Sequence, residues 1–199
     1  MLSNLSRREF AILGISAAFV AATPLRLTAM TVDQADALVG KLIGEINGVI
    51  NSGKSESAMY SSFEDIFARY ADVNYIAQSA LGPAGRSASA AQKAAFTKAY
   101  TRYLSVKYGK RFREFIGGKI EVKDAHPLKS FFEVVSTAKL QGQAPFEVRW
   151  HVFEKGGKSR FFNIIIEGVN MLASERSEVG SLLDKNKGDI DKLIAALKV

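Results

Sequence analysis

The sequence predicts an α+β fold in which helices come first, strands follow, and two helices close the chain. Apolar residues recur every three or four positions from about residue 32 to residue 116, which is the period of a helix. From about residue 117 to residue 167 they recur every second position, and short glycine-containing turns separate the runs. Strands joined by short turns pair in antiparallel order. We therefore expect an antiparallel sheet beside a helical layer.

Turn residues and a capping residue divide the first half of the chain into helices. The first helix is predicted to begin at Val32 and to end at the Asn-Ser-Gly run of residues 51–53. A second, short helix is predicted to start at Ser62. Asp72 is placed to cap a third helix, which runs as far as the Gly-Pro pair at residues 82–83.

The longest predicted helix, residues 89–115, carries an aromatic-rich apolar stripe. The stripe consists of Phe96, Tyr100, Tyr103, Leu104, Tyr108, Phe112 and Phe115. The rest of its surface is basic and contains Lys93, Lys98, Arg102, Lys107, Lys110, Arg111 and Arg113, against Glu114 alone. Such a surface is either a solvated helix face or a docking surface for an acidic partner or membrane phosphate, and both interpretations stay open. Nucleic acid is not expected, since no recognition motif is present.

Four strands are expected after this helix, and they should form a curved sheet. The predicted strands are residues 119–124, 131–140, 144–153 and 159–167, and the two C-terminal helices are residues 172–184 and 189–197. If the apolar faces of the strands align, the sheet presents a broad concavity to the long helix, in a cone similar to that of nuclear transport factors. An apolar face of this kind is either a filled core or the wall of a ligand pocket, and the pattern alone does not separate the two.

The fourth predicted strand is apolar at both parities. Phe162, Ile164 and Ile166 occupy one side, while Phe161 and Ile165 occupy the other. We predict that the first set faces the cavity and that the second packs under the C-terminal helices.

The N-terminus has the pattern of an export signal. An Arg-Arg pair at residues 7–8 precedes an apolar run at residues 11–22 and small residues near Ala29. The Arg-Arg pair favours the twin-arginine route, and the apolar run is shorter than the ~20 residues that a bilayer-spanning helix needs. We expect residues 1–29 to be removed, with an uncleaved anchor as the alternative. Residues 30–199 would then form a soluble periplasmic domain with a helical part at about 32–116 and a sheet part at about 117–199.

Composition excludes several chemistries. The chain has no cysteine and two histidines, so disulfides, thiolate nucleophiles and histidine-rich metal centres are not expected. The Gly-Gly-Lys-Ser run at residues 156–159 lacks the first glycine of a phosphate-binding loop, because Val152 stands there. His151 with Glu147 or Asn163 could form an acid–base pair in a cone-shaped cavity, which leaves a small isomerase as an alternative. No catalytic residue, metal or cofactor is otherwise predicted.

Two stretches carry a resemblance to a known family. One runs from Tyr70-Ala-Asp-Val73 through Ala80-Leu-Gly82 to Tyr103-Leu104, and the other is Asn163-Ile-Ile-Ile-Glu-Gly-Val-Asn170, followed by Arg176. On these residues the chain resembles the MlaC family, also called the toluene-tolerance family, of periplasmic phospholipid-binding proteins. The family usually has aspartate where Asn163 stands and serine where Asn170 stands, and both replacements stay polar.

The resemblance implies a lipid carrier with no chemical activity, which serves outer-membrane lipid asymmetry. Its cargo would be a phospholipid, and its partners an inner-membrane ABC transporter with MCE domains and an outer-membrane lipoprotein complex. The carrier itself would be a monomer. The residues expected to bind the acyl chains are Tyr100, Leu104, Tyr108, Phe112, Phe132, Val134, Phe146, Val148, Trp150, Phe162, Ile164 and Ile166. A hopanoid-associated member of the same family and an adaptor without lipid remain alternatives.

Overall fold

Four helices, a meander of strands and two further helices follow one another in the predicted order in the computed structural model, which describes residues 30–113 and 115–198. The helices are α1 (Val32–Ile50), α2 (Glu56–Tyr70), α3 (Val73–Leu81), α4 (Ala90–Arg113), α5 (Met171–Lys185) and α6 (Ile190–Ala196). The strands are β1 (Lys119–Leu128), β2 (Phe131–Lys139), β3 (Phe146–Lys155), β4 (Lys158–Ile166) and β5 (Val169–Asn170). The predicted α+β class is confirmed.

The export signal predicted at residues 1–29 lies outside the described residues. Within the part of the chain that the structure describes, no helix combines the length and the hydropathy needed to cross a bilayer.

Side-chain caps fix where the helices of the first half begin. The Ser55 hydroxyl accepts a hydrogen bond from the backbone N–H of Ala58 (3.4 Å), so α2 begins at Glu56. The predicted start at Ser62 was wrong, because Ser62 lies inside the helix and its hydroxyl donates to the carbonyl of Ala58 (2.9 Å). Asp72 caps α3 as predicted, since its carboxylate accepts a backbone N–H bond of 3.0 Å.

The sheet is an antiparallel meander in the order β1-β2-β3-β4-β5. Four strands were predicted, and the fifth is the two-residue strand β5, which pairs with the end of β4. A two-residue strand is too short to show an alternating pattern, so periodicity could not have found it.

A β-bulge changes the faces of β4. His151 pairs with Asn163, but Val152 pairs with Phe161, so that Phe162 is the extra residue between the two pairs. An extra residue exchanges the two sides of a strand beyond it. Phe161, rather than Phe162, therefore shares the inner face with the isoleucines of β4, which corrects the predicted assignment.

The surroundings of the two phenylalanines follow from this bulge. Phe161 is 2% exposed. Its ring packs edge-on against the rings of Trp150 and Phe67, with centroids 5.6 and 5.8 Å away. Phe162 packs edge-on against Tyr75 and Phe131, each with a centroid separation of 5.3 Å. The prediction that Phe161 packs under the C-terminal helices is therefore wrong.

Several helices pack against the sheet, and the long helix packs mainly against other helices. Helix α1 lies against β1 and β2, while α5 lies against β4, which α2 and α3 also contact. The long helix α4 has its main contacts with α2, α3 and α6. Two residues of α4, Leu104 and Tyr108, nevertheless border the same apolar space as β3 and β4.

Candidate functional site

An apolar cavity lies between the inner face of the sheet and the helices. The space between its atoms amounts to about 840 Å³, its opening to solvent included, and the centre of a water molecule could occupy about 70 Å³ of it. The second volume lies below the range of about 300–1,000 Å³ that ligand pockets have, which indicates that the walls stand close together. The cavity therefore suits a thin apolar ligand better than a bulky one.

The sheet contributes one wall of this cavity through β3 and β4. Val148 pairs with Ile166 and Trp150 pairs with Ile164, and all four side chains line the space. The indole N–H of Trp150 donates to the hydroxyl of Ser136 (2.9 Å), which donates to the carbonyl of Val148 (2.9 Å). The polar atoms of this wall are therefore satisfied within the sheet, and the surface offered to a ligand is apolar.

Part of the predicted lining is found around the cavity. The predicted residues that border the cavity are Leu104, Tyr108, Val148, Trp150, Phe162, Ile164 and Ile166. Phe162 borders it at the bulge of β4, although its ring packs against Tyr75 and Phe131. Tyr100, Phe132, Val134 and Phe146 lie outside the lining. Phe112 belongs to α4, but its side chain lies outside the described part of the structure. That any of these residues binds lipid stays a prediction.

The four residues outside the lining have other places. Tyr100 is 1% exposed and stacks on Phe96 with centroids 5.2 Å apart. Val134 is fully buried, and Phe132 is half-buried. Phe146 borders a second, smaller pocket. Parity along a strand correctly groups such residues on one face, but it does not tell which part of a face a helix covers.

The helices supply much of the lining that sequence reasoning missed. These residues are Leu42 and Ile46 of α1, Phe63, Ile66 and Phe67 of α2, Ile76 of α3, and Met171 and Leu172 of α5. The available signal was the apolar stripe of each helix. That signal is the same for a helix that packs into a core and for one that borders a cavity, so it could not single them out.

A buried carboxylate cluster joins α4 to α5 at one side of the cavity. Glu175 is 3% exposed and borders the space. Its carboxylate accepts hydrogen bonds from the hydroxyls of Tyr100 (3.1 Å) and Tyr108 (2.7 Å) and from the ammonium of Lys107 (2.7 Å). Lys107 also forms an ion pair with Glu178. Three donors on one carboxylate satisfy a group that would otherwise be costly to bury.

The cluster changes the ionisation of its members. Burial, reinforced by the nearby Glu175 charge, raises the pKa values of Tyr100 and Tyr108, so both phenols stay protonated and keep donating. Burial also raises the pKa of Tyr103 to about 12. Burial acts to lower the pKa of Lys107, but hydrogen bonds to Glu175 and Glu178 outweigh it, so the net pKa is raised and the ammonium stays charged.

The basic surface predicted on the long helix is partly used within the molecule. Lys107 is committed to α5, and the Arg102 guanidinium forms an ion pair with Glu64 (2.9 Å). The solvated interpretation therefore does not describe these two residues, and a docking surface would have to use the remaining cations of α4.

A polar row runs across strands β2, β3 and β4. The His151 ring bonds the Glu133 carboxylate through Nε2 (3.1 Å) and the Asn163 amide through Nδ1 (3.3 Å), and all three side chains are buried. The Asn163 carbonyl oxygen also accepts the backbone N–H of Leu172 (3.1 Å), which ties α5 to β4. The hypothetical acid–base partner Glu147 pairs instead with Arg149. The polar groups of the row are therefore paired within the protein, and the row joins β2, β3, β4 and α5.

The described residues contain no group of three or more histidine, cysteine, aspartate or glutamate side chains placed to hold a metal ion.

The architecture is thus that of an α+β protein whose sheet and helices enclose an apolar cavity. The sequence model of the MlaC protein family matches residues 40–199. The chain belongs to the MlaC family, as the resemblance predicted.

Two further comparisons identify proteins similar to this chain. The intermembrane phospholipid transport system binding protein MlaC of Haemophilus influenzae is 27% identical over 135 residues, which are 65% of this chain. The chain spans 62% of the length of that relative. The phospholipid-binding protein of Ralstonia solanacearum, solved in complex with a phospholipid, superposes with a TM-score of 0.71 at 16% identity, covering 82% of this chain and 94% of that one. At this identity the likeness establishes the shared fold.

Proposed function

We propose that this chain carries phospholipid between membranes and holds the acyl chains in the apolar cavity. The observation that carries the proposal is the lining of that cavity, which is apolar except for Tyr108, Asn163 and Glu175, whose polar groups are hydrogen-bonded within the protein. An acyl chain binds through contacts with apolar side chains, and it has no polar atoms that could bond to further polar groups of the wall. The lipid bound to the Ralstonia protein and the name of the Haemophilus relative support the same reading.

The energetics explain why such a cavity is needed. Burying one methylene group in apolar surroundings contributes ~0.8 kcal/mol. Exposing a long acyl chain to water would therefore cost on the order of 10 kcal/mol or more. A protein that replaces the membrane interior with apolar side chains removes most of this barrier, and no chemical step is involved.

The proposal includes a location and partners. The export pattern of residues 1–29 supports a periplasmic site, with residues 30–199 as the lipid-binding domain. An inner-membrane ABC transporter with MCE domains would exchange lipid with the carrier on one side, and an outer-membrane lipoprotein complex on the other. Because tight binding at one membrane has to be reversed at the next, each partner should change access to the cavity.

Extraction of the purified chain tests the proposal. Organic solvent should release phospholipid, and mass spectrometry should identify it in an amount approaching the molar amount of protein. An extract without phospholipid, from protein that also takes up none from vesicles, would reject lipid carriage and favour the adaptor alternative.

A further inference from the structure

A second pocket opens next to the apolar cavity and has a different character. The space between its atoms amounts to about 450 Å³, its opening to solvent included, and its lining consists of Tyr108, Arg111, Phe115, Leu140, Gln143, Phe146, Ile166 and Glu167. Tyr108, Phe115 and Ile166 line both spaces. The two spaces are therefore neighbours separated by these three side chains, and a ligand that leaves the cavity on this side enters the second pocket.

The outer rim of the second pocket carries opposite charges. Arg111 supplies a guanidinium, Glu167 a carboxylate and Gln143 an amide, and all three residues are exposed. Among the described residues, none of these three side chains has a hydrogen-bond or ion-pair partner. Elsewhere on α4, Arg102 and Lys107 are paired with glutamates. The rim thus offers a cation, an anion and an amide that the fold itself does not use.

The backbone conformation at residue 167 does not explain the choice of a glutamate at this position of the turn. Glu167 and Gly168 connect β4 to β5 as a two-residue turn, with φ of 50° and 79°. Left-handed φ at both positions favours Asn-Gly or Asp-Gly, whereas a glutamate in this region is uncommon. The backbone N–H of Glu167 donates to the carbonyl of Glu147 (3.1 Å), which holds the turn in place. The carboxylate is therefore presented from a fixed backbone.

We propose that this pocket is the head-group site of the cargo, with Arg111 binding the phosphate and Glu167 binding the ammonium of an amine-bearing, zwitterionic phospholipid. The inference rests on the proposed function, since it requires acyl chains in the adjoining cavity. A guanidinium matches phosphate oxygens in charge and in hydrogen-bond geometry. A carboxylate beside it attracts an ammonium and repels a head group whose net charge is negative. Gln143 can donate to or accept from either part.

A lipid competition experiment tests the site. The delipidated full chain is incubated with vesicles of equal parts phosphatidylethanolamine and phosphatidylglycerol, reisolated and extracted, and the bound ratio is measured by mass spectrometry. The wild type should be enriched in phosphatidylethanolamine. Because the contacts are exposed, Glu167→Gln should lower the bound ratio by about two- to fivefold, the range of an exposed ion pair. Arg111→Gln should lower the bound amount of both lipids.

The matched control is Lys110→Gln, which removes an exposed cation of α4 that does not line the pocket. It should leave the bound ratio and the bound amount at the wild-type values. Co-sedimentation with phosphatidylglycerol vesicles distinguishes binding of the cargo's head group from contact with a membrane surface. If Arg111→Gln and Lys110→Gln weaken co-sedimentation equally while the bound ratio and amount stay unchanged, these charges serve membrane contact and the head-group site is refuted.

The outcomes also separate this inference from the proposed function. Wild-type protein that binds phospholipid, together with a bound ratio that Glu167→Gln does not alter, would overturn the head-group site alone. Wild-type protein that takes up neither lipid would overturn both.

Discussion

Replacing Glu175 with glutamine tests the polar cluster beside the cavity. The change keeps the shape of the side chain but removes its charge and one of its two acceptor oxygens. Both oxygens are in use, since Tyr108 and Lys107 bond one and Tyr100 bonds the other. A hydrogen bond to a charged group contributes about 1.5–3 kcal/mol, and removing one partner of a buried ion pair costs about 3–5 kcal/mol. Lys107 keeps Glu178 as a partner. We therefore expect a loss of about 2–3 kcal/mol in the free energy of unfolding.

The assay is urea unfolding of delipidated protein, so that bound lipid does not contribute to stability. The midpoint should fall while the slope stays unchanged, and the melting temperature should fall by about 4–12 °C. Glu178→Gln is the matched control. That side chain is 39% exposed, so its loss should cost about 1 kcal/mol or less. The reasoning is refuted if Glu175→Gln unfolds within about 0.5 kcal/mol of the wild type, or if the control costs as much.

Three further predictions concern packing, pH and lipid binding. Gly109→Ala should destabilise by about 1–3 kcal/mol, because an aromatic ring of α2 lies 2.5 Å from where its Cβ would stand. Gly180→Ala should be neutral or stabilising, because nothing lies within 4 Å of where its Cβ would stand. Equal urea midpoints for the Gly109→Ala and Gly180→Ala variants would contradict this. Hydrogen bonds from two α2 side chains lower the pKa of Glu45 below its usual value of 4.5. The contribution of the Glu45 carboxylate to the free energy of unfolding is therefore complete above pH 4.5 and is lost as the pH falls through the folded-state pKa. Urea midpoints from about pH 6 to about pH 3 should fall less steeply in Glu45→Gln than in wild type, and parallel curves would argue against it. Ile164→Asp should abolish co-purifying phospholipid while Ile165→Asp, outside the lining, retains it; equal lipid content in two folded variants would show that the wall is misassigned.

The element order could be predicted from the sequence because each element has its own period and its own boundary residues. Asp72 is recognisable as the N-cap of α3, and the Gly-Pro pair at residues 82–83 marks the end of that helix. The start of α2 was missed because Ser55 and Ser62 are equally good caps in isolation, and only the packing of Met59 and Tyr60 into the core extends the helix back to Glu56. Caps locate candidate boundaries, and burial selects among them.

The faces of β4 could not be predicted, because a bulge leaves no mark in an alternating apolar pattern. Phe161 and Phe162 are identical residues side by side, and only the register against β3 decides which one is buried. The residues that the sheet contributes to the cavity wall could be predicted in part, whereas most of those that the helices contribute could not. Whether neighbouring side chains fill a space or leave it open depends on distances between elements, and a periodic sequence does not encode those distances.

Mapping the acyl chain within the protein tests the central claim most directly. The chain would be loaded with a phospholipid that carries a photoreactive group in the middle of one acyl chain, irradiated, digested and analysed by mass spectrometry. The account predicts crosslinks to cavity residues such as Leu104, Trp150 and Ile164. Crosslinks confined to exposed residues outside the cavity, in protein that has bound the lipid, would contradict it.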